Sequence, residues 1–387
     1  MSTPATDAQA RPKPQLSQLV DVTATLATHA EEHDRTADLP VKGLAVVHEA
    51  GLLTLTVAAE HGGPGGGLHD TVRTLTALGQ GDPSVALISA MTLFAHVSAA
   101  SWPARLYAEV LAESAVRPTL INSLRVEPDL GTPARGGLPA TTARRTAGGW
   151  ELTGHKIFST GAIGLRWMQV WARTDEDPVR VGAFLVRTDR PGITVERTWD
   201  HLGLRASRSD DVTFDRVAVP EDAVLGLAEP GLPGADAGGI RAWNALGIGA
   251  IYLGVATAAR DWLTGYLRER TPTNLGKPLA TLPRFQSEVG VIESQLASAS
   301  VFLTATAAAA DAGTADPEHP ALAKTVATNA AIEAVQRAVA LIGNAGLSRH
   351  HPLERHLRDV LCGRIHTPQD DAVLGAAGRS ILEVRTP

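Results

Sequence analysis

An aromatic residue and two hydroxyls stand side by side at Phe158, Ser159 and Thr160, immediately before a glycine. The apolar pattern of 150–159 predicts a strand that carries them, and 168–173 predicts a second strand that we expect to pair with it. Apolar strands that end in hydroxyls form a rim suited to a small ligand. On these residues alone, a plain β-hairpin with a Ser-Thr-Gly turn is the simpler interpretation.

Histidine is the second residue type with potential chemistry, because the chain contains 13 of them. Four lie close together in the sequence, at His350, His351, His356 and His366. Their spacing matches no His-x-x-Glu-His or comparable metal-binding pattern, so we predict no metal site. Without further information, the expected role of His366 is that of a hydrogen-bonded structural or surface histidine.

Composition limits the class of protein. Hydrophobic residues make up 44% and charged residues 20%, which is typical neither of a disordered chain nor of a membrane protein. The formal net charge of -6, without a basic run, argues against nucleic acid as a partner. Cys362 is the only cysteine, which excludes an internal disulfide and favours a reducing cytoplasm. Residues 1–15 lack an apolar segment and predict a disordered lead rather than a signal peptide.

The patterning of the 387 residues has three parts. Helical spacing dominates 16–118, strands and turns dominate 119–228, and helices return over 229–387. Seven strands are predicted in the central part, at 120–126, 140–145, 150–159, 168–173, 181–187, 193–197 and 211–219. Four helices are predicted in the last part, at 237–269, 283–312, 320–341 and 371–384. We therefore predict an α+β multidomain fold with an N-terminal all-α domain, a central β domain and a C-terminal four-helix bundle.

Four motifs resemble the acyl-CoA dehydrogenase superfamily. Residues 154–161, GHKIFSTG, are similar to the family's flavin-edge strand, and 352–359, PLERHLRD, match its P-x-E-R-x-x-R-D segment. Residues 126–131 are similar to T-E-P-x-x-G, and 205–220 to the family's closing strand. The order of helices, β domain and bundle agrees over nearly the full length, which is harder to obtain by chance than any one motif. The resemblance implies the acyl-CoA dehydrogenase fold, with a β-barrel-like central domain, and a flavin cofactor.

The resemblance also assigns contacts to the flavin ring system. Phe158 would cover one face of the ring, and Thr160 would form a hydrogen bond on its N5 side. Leu124 and Val126 would line the pyrimidine side. The same region of the family binds the redox-active part of the cofactor.

Further residues are assigned to the outer half of a dinucleotide. Arg270 stands where the superfamily has an arginine that reaches the cofactor pyrophosphate of a neighbouring subunit. Gly343, Asn344 and Gly346 replace a glycine-rich segment that backs the adenosine. Because Asn344 substitutes for a glycine and the segment after Arg270 is longer than usual, FAD and FMN both stay open. Cofactor sharing between chains implies a homotetramer built as two dimers.

The two positions at which the family's dehydrogenases carry their glutamate base hold no acid here. The first is Thr367, and a threonine hydroxyl cannot accept a proton near neutral pH. The second is about Ala242, where the nearest acid is Asp236. The arginine that usually contacts acyl-CoA is replaced by about Trp243, with Arg241 close by. We predict that Thr367, Trp243 and Arg241 face the substrate.

The remaining pattern is similar to the dibenzothiophene monooxygenase type of the same superfamily, which has F-Y-S-T-G at the flavin edge and L-H-x-P after the Arg-Asp pair. This chain has I-F-S-T-G at 157–161 and I-H-T-P at 365–368. The resemblance implies that Ser159 and His366 are catalytic and lie beside the flavin C4a position, where oxygen adds to reduced flavin. A hydroxyl and an imidazole can donate hydrogen bonds there and pass a proton. Such enzymes receive reduced flavin from a separate reductase.

Three functions stay open from the sequence. The first is a reduced-flavin, O2-dependent monooxygenase or hydroxylase of a small organic substrate. The second is an FAD-dependent acyl-CoA or acyl-carrier dehydrogenase with a displaced base, which would pass its electrons to a partner. The third is a non-catalytic flavin- or acyl-binding paralogue. Asp370 or Asp371 could supply a displaced base, but their position before an apolar run favours capping of the last helix.

Overall fold

The computed structural model describes residues 16–130, 137–230 and 239–382, so the predicted lead at 1–15 lies outside the described residues. The first group of elements is helical: α1 (Leu19–Thr36), α2 (Val41–Glu49), α3 (Leu68–Gly81), α4 (Pro83–Val97) and α5 (Ala104–Val116). The central group is β1 (Leu120–Leu124), β2 (Thr142–Thr146), β3 (Gly149–Ser159), β4 (Leu165–Thr174), β5 (Val181–Arg187), β6 (Ile193–Glu196), β7 (Asp210–Pro220) and β8 (Val224–Ala228). The last group is α6 (Gly239–Glu269), α7 (Pro283–Asp311), α8 (His319–Ile342), α9 (Asn344–Leu347), α10 (Leu353–Leu361) and α11 (Asp370–Leu382).

Helix α6 joins the N-terminal helices to the bundle, because it packs against α3 and α4 on one side and against α7, α8 and α10 on the other. Its contact with α3 is close. A Cβ atom at Gly254 would lie 2.2 Å from the carbonyl oxygen of Thr76, so only glycine fits. The helix that crosses the centre of the molecule is therefore fixed to both helical layers.

The strands form one sheet in the order β6-β7-β3-β2-β4-β5-β8, with β1 added to β4. β3 is antiparallel to β2 and β7, whereas β4 pairs with β1, β2 and β5. The predicted pairing of 150–159 with 168–173 is therefore wrong. The reason lies in the connection: the backbone N–H groups of Gly161 and Ala162 donate to the carbonyls of Ser207 and Arg208, at 2.8 and 3.1 Å. These bonds direct the chain away from β3 instead of back along it.

Two helices, Ile240–Glu269 in α6 and Pro283–Asp311, are long and apolar enough to cross a membrane by length and composition alone. In α6, 72% of the most apolar stretch is buried inside the protein, as expected of a core helix. In α7 the buried share is only 28%, so an apolar face of this helix lies on the surface of the chain. A shallow groove runs along that face, lined by Ala297, Ser298, Val301, Phe302 and Ala305.

Candidate functional site

Phe158 lies at an irregularity near the end of β3. The register between β3 and β7 shifts between Lys156 and Ser159, and Phe158 has a φ of 55°. A non-glycine residue in this left-handed conformation costs about 1 kcal/mol or more. The residue is nevertheless 52% exposed. A strained, exposed aromatic ring at a strand end fits a planar ligand that would cover it.

The two hydroxyls that follow have different surroundings. Ser159 is 1% exposed, and its Oγ has no hydrogen-bond partner among the residues that the structure describes. Thr160 Oγ1 lies 3.1 Å from Ser209 Oγ, and the Thr160 carbonyl accepts a hydrogen bond from Asn122 Nδ2 at 3.0 Å. A buried hydroxyl without a partner is costly, so Ser159 fits the polar edge of a ligand that Phe158 covers. The pair suits a flavin ring, which is planar and has a polar edge.

Trp199 and His201 support Phe158 and were not predicted from the sequence. Their rings stack on each other, with centroids 3.6 Å apart and an angle of 10°. Both meet the ring of Phe158 edge to face, at 6.4 and 6.0 Å. Trp199 is fixed by its backbone N–H, which donates to Asp210 Oδ1, and by its indole N–H, which donates to the Leu204 carbonyl. The only sequence signal is two rings two residues apart in a charged loop.

A buried ion pair lies behind the Phe158 turn. Lys156 Nζ is 2.6 Å from Glu127 Oε1, and both side chains are enclosed. Glu127 also accepts hydrogen bonds from the backbone N–H of Ala140 and from the Thr141 N–H and hydroxyl. Burial would raise the pKa of Glu127, but the bonds from Lys156 and Thr141 outweigh burial and lower it. Burial lowers the pKa of Lys156 to about 8 against the attraction of Glu127.

This ion pair places the segment that follows β1. The Val126 carbonyl accepts the Ile157 N–H at 3.0 Å, which holds 125–127 beside β3. Val126 is half-buried, whereas Leu124 is 2% exposed and belongs to the hydrophobic core. Because its side chain is buried, Leu124 could contact a ligand only through its backbone. Glu127 faces the protein interior.

His366 lies in the turn between α10 and α11 and is held by α6. Its Nδ1 is 2.8 Å from the hydroxyl of Tyr252, whose side chain is fully buried. Asn244 Nδ2 donates to the neighbouring Thr367 carbonyl at 2.9 Å. Burial, and then the charge of Lys324, lower the pKa of His366 to about 4. His366 is therefore neutral at physiological pH.

The predicted cap role of Asp370 is wrong. Its Oδ1 accepts a hydrogen bond from Thr325 Oγ1 at 3.2 Å, its Oδ2 accepts one from Asn329 Nδ2 at 2.7 Å, and Lys324 Nζ lies 3.7 Å away. All three partners are on α8, whose side chains compete successfully for the carboxylate. Asp370 therefore connects α11 to α8.

Of the residues predicted to face the substrate, Trp243 and Thr367 are half-buried and Arg241 is exposed. Ala242 and Trp243 pack against the hydrophobic core at the start of α6. Asp236, the acid nearest to Ala242 in the sequence, lies outside the described residues. Ala242 therefore occupies an apolar environment.

The segment 199–208 connects the Phe158 side of the molecule with the His366 side. Trp199 and His201 contact Phe158, and the backbone N–H of Leu204 donates to Asp359 Oδ1 at 2.7 Å. Asp359 belongs to α10, which leads into the turn that carries His366. The two predicted catalytic regions are thus joined through this one segment.

The residues predicted for the outer half of a dinucleotide lie at the far end of α6 and α8. Arg270 directly follows α6 and is exposed, as is Asn344 at the start of α9. Gly343 ends α8 with a φ of 63° and a ψ of -133°, which glycine alone adopts readily. Gly346 is buried, and its Cβ position lies 3.0 Å from Val339 Cα.

Replacement of Asp359 tests the role of its charge. Burial, with a smaller contribution from the charge of Asp34, raises the pKa of Asp359 to about 7 against the opposing effect of the hydrogen bond from Leu204. The carboxyl therefore favours folding most at low pH, and this contribution is lost as the pH rises from about 4 through 7. Asp359→Asn keeps an acceptor for Leu204, so its unfolding free energy should exceed that of the wild type by on the order of 4 kcal/mol at pH 8 and by less than half of that at pH 5. Urea unfolding at both pH values measures this, and Asp359→Leu, which lacks the acceptor, should be destabilised at both.

Comparison with known proteins places the chain in a family. Models of the acyl-CoA dehydrogenase N-terminal, middle and C-terminal domains match residues 21–108, 126–217 and 246–370. The putative acyl-CoA dehydrogenase YdbM of Bacillus subtilis (strain 168) is 34% identical over 355 residues, which cover 89% of this chain and 90% of YdbM. This protein belongs to the acyl-CoA dehydrogenase family. The family and the three-part α+β fold predicted from the sequence are both confirmed.

Some other similar proteins are not named as dehydrogenases. The L-evernosamine nitrososynthase of Micromonospora sp. (strain ATCC 39149 / NRRL 15099 / SCC 1413) is 29% identical over 391 residues, covering 94% of this chain and 89% of the relative. KijD3, solved with FMN and a dTDP-linked amino sugar, is 27% identical and covers 99% of this chain and 98% of its own, with a TM-score of 0.83. The dibenzothiophene monooxygenase TdsC from Paenibacillus sp. A11-2 is 23% identical, with a TM-score of 0.82 over 96% of this chain and 98% of its own, and shares the fold.

Proposed function

We propose that this protein is a flavin-dependent monooxygenase that uses reduced flavin and O2 to oxygenate a small organic substrate. The observation that carries the proposal is the lack of a base where the family's dehydrogenases have one. Thr367 and Ala242 stand at the two base positions, and Asp370 is bound by Thr325 and Asn329 of α8. Without a base, a proton beside a thioester carbonyl has no acceptor, so transfer of electrons to O2 is the better-supported chemistry.

Flavin as the cofactor is supported by the bound FMN of KijD3 and by the surroundings of the Phe158 turn. Phe158 would cover the ring, Thr160 and Ser159 would bind its polar edge, and Val126 with the Leu124 backbone would line its other end. Bound reduced flavin supplies two electrons and the position at which O2 reacts. Ser159 and His366 would donate hydrogen bonds on that side.

A dehydrogenase is the second candidate, and the 34% identity to a putative acyl-CoA dehydrogenase favours it. It would require a base from outside the two usual positions, such as Asp371. A non-catalytic flavin- or acyl-binding paralogue is the third candidate. It would bind a ligand through the same Phe158 turn without turnover.

The proposal includes partners. A separate reductase would supply reduced flavin, and the compartment favoured by a single cysteine is the cytoplasm. We also propose a homotetramer, in which Arg270, Gly343, Asn344 and Gly346 would serve the outer half of a cofactor if that cofactor is FAD. The exposed apolar groove of α7 supports self-association, because such surfaces are usually covered in the assembled protein.

The test supplies the purified protein with reduced FMN or FAD, O2 and a panel of candidate substrates. The panel contains indole, dibenzothiophene and dTDP-linked amino sugars, alongside saturated acyl-CoA thioesters. Incorporation of 18O from 18O2 into a product, measured by mass spectrometry, is the expected result. Bleaching of the flavin absorbance by an acyl-CoA without O2 would support the dehydrogenase instead. Binding of flavin or acyl-CoA without turnover of any compound would support the paralogue.

A further inference from the structure

The hydrogen bond between Tyr252 and His366 defines the position of the imidazole proton. Tyr252 is enclosed within α6, and burial raises the pKa of its hydroxyl well above the usual value. Among the described residues, the hydroxyl has one hydrogen-bond partner, His366 Nδ1 at 2.8 Å. If Nδ1–H were the donor, the phenolic proton would be buried without an acceptor, which costs about 1–3 kcal/mol. The hydroxyl therefore donates to Nδ1, and a neutral His366 carries its proton on Nε2.

The charge of Lys324 acts in the same direction. Lys324 lies on α8 and its side chain is fully enclosed. Its Nζ lies 3.7 Å from Asp370, four residues after His366, and its backbone packs against α6, where a Cβ at Gly249 would be only 3.3 Å from Lys324 Cα. Gly249 precedes Tyr252 by one turn of the same helix. A buried ammonium group beside an imidazole disfavours a second positive charge.

The Asp370 carboxylate attracts the Lys324 ammonium group but does not form a close ion pair with it. The carboxylate is 3.7 Å from Lys324 Nζ, and its two oxygens accept hydrogen bonds from Thr325 and Asn329. The other titratable groups near this cluster, Cys362 and Asp359 of the α10 region, act on Tyr252. The charge of Lys324 acts with burial to lower the pKa of His366, and burial also lowers the pKa of Lys324 itself.

We propose that Tyr252 and Lys324 are positioning residues that hold His366 as a neutral imidazole with its proton on Nε2. His366 then serves the reaction as a hydrogen-bond donor to an acceptor oxygen, and not as a cationic acid or as a base. The catalytic part of this inference rests on the proposed function. The protonation state of His366 is a property of the protein and can be tested without any substrate.

The direct test is NMR of the purified flavoprotein labelled with 15N-histidine. The signals of His366 are identified by their loss in His366→Asn. We expect one nitrogen in the protonated range, coupled as Nε2, and the other in the acceptor range, unchanged from pH 8 to pH 5. A proton on Nδ1, or a doubly protonated ring at pH 6.5, would overturn the inference. The NMR experiment determines the protonation state of His366 whether the protein is a monooxygenase or a dehydrogenase.

Charge variants distinguish a positioning role from a structural one. Lys324→Met should raise the pKa of His366 by about one unit, and Asp370→Asn should lower it, because the two variants remove opposite charges. In Tyr252→Phe, the single proton of the neutral His366 ring should be found on Nδ1 in some molecules and on Nε2 in others. Arg337→Met, which removes ion pairs with Glu333 of the same helix and with Glu288 of α7, is the control and should leave the His366 signals unchanged.

Destabilisation alone would lower the melting temperature without shifting the His366 pKa in opposite directions. If Lys324→Met does not fold, Tyr252→Phe still decides the question, because loss of the single Nε2-protonated form is visible in its spectrum. A His366 signal identical to wild type in Tyr252→Phe, or an unchanged His366 pKa in a folded Lys324→Met, would contradict the proposed roles.

Discussion

Replacement of His366 by alanine should lower the yield of oxygenated product per O2 consumed by about 100-fold, the usual cost of removing one donor to a developing negative charge. Consumption of O2 should continue, because Phe158 and Thr160, which we assign to binding the flavin, are unchanged in this variant. The missing product should appear as hydrogen peroxide. Product quantification by mass spectrometry, together with a peroxide assay on the same sample, measures the ratio.

His350→Ala is the matched control, because His350 is exposed and close in the chain but has no part in the proposed site. Its ratio of product to peroxide should equal that of the wild type. Ser159→Ala should show the same kind of loss as His366→Ala, since both donors address the same oxygen in the proposal. A ratio unaffected by His366→Ala would remove His366 from the mechanism.

The local features of the fold could be predicted from the sequence. The alternation of apolar residues predicts a strand at 150–159, and β3 spans Gly149–Ser159. The long apolar helices could be predicted equally well: a helix is predicted at 283–312, and α7 spans Pro283–Asp311. Both signals depend on residues next to one another in the chain, and periodicity reports such neighbours directly.

The choice of partners could not be predicted in the same way. β3 pairs with β7, which begins about fifty residues later, because bonds from Gly161 and Ala162 to the loop before β7 turn the chain away. Tyr252 and His366 are separated by 114 residues, and no periodic pattern marks that contact. A tyrosine within a long apolar helix is usually a packing residue. The support of His366 therefore became visible only in three dimensions.

The buried ion pair behind the site has a recognisable signal in the sequence. Lys156 stands in the middle of a predicted apolar strand, and a charge at a buried strand position requires a partner. The partner, Glu127, lies 29 residues earlier in the segment that resembles the family's T-E-P-x-x-G motif. The motif was interpreted as a lining of the cofactor site. The structure shows that the carboxylate of this motif pairs with Lys156 and stabilises the strand.

Lys156→Met should therefore destabilise the protein strongly. The substitution leaves the Glu127 carboxylate buried with its hydrogen bonds from Ala140 and Thr141 but without a compensating charge. Loss of one partner of a buried pair costs about 3–5 kcal/mol of unfolding free energy. Urea unfolding of the purified protein, with its cofactor bound, measures the difference.

The double variant Lys156→Met/Glu127→Gln should recover part of that loss, because a neutral amide carries no charge to desolvate and its oxygen can still accept the two bonds from Thr141. The bond from the Ala140 N–H is lost, since the amide nitrogen donates and cannot accept it. Arg144→Met is the matched control on the neighbouring strand. It removes an ion pair with Glu151 of β3 in which the arginine side chain is 62% exposed, and such pairs contribute about 1 kcal/mol or less. Equal losses for Lys156→Met and Arg144→Met would show that burial does not strengthen the Lys156–Glu127 pair. A loss confined to Lys156→Met, and partly reversed by Glu127→Gln, would establish that the turn carrying Phe158 and Ser159 is held in place by a charge balance inside the protein.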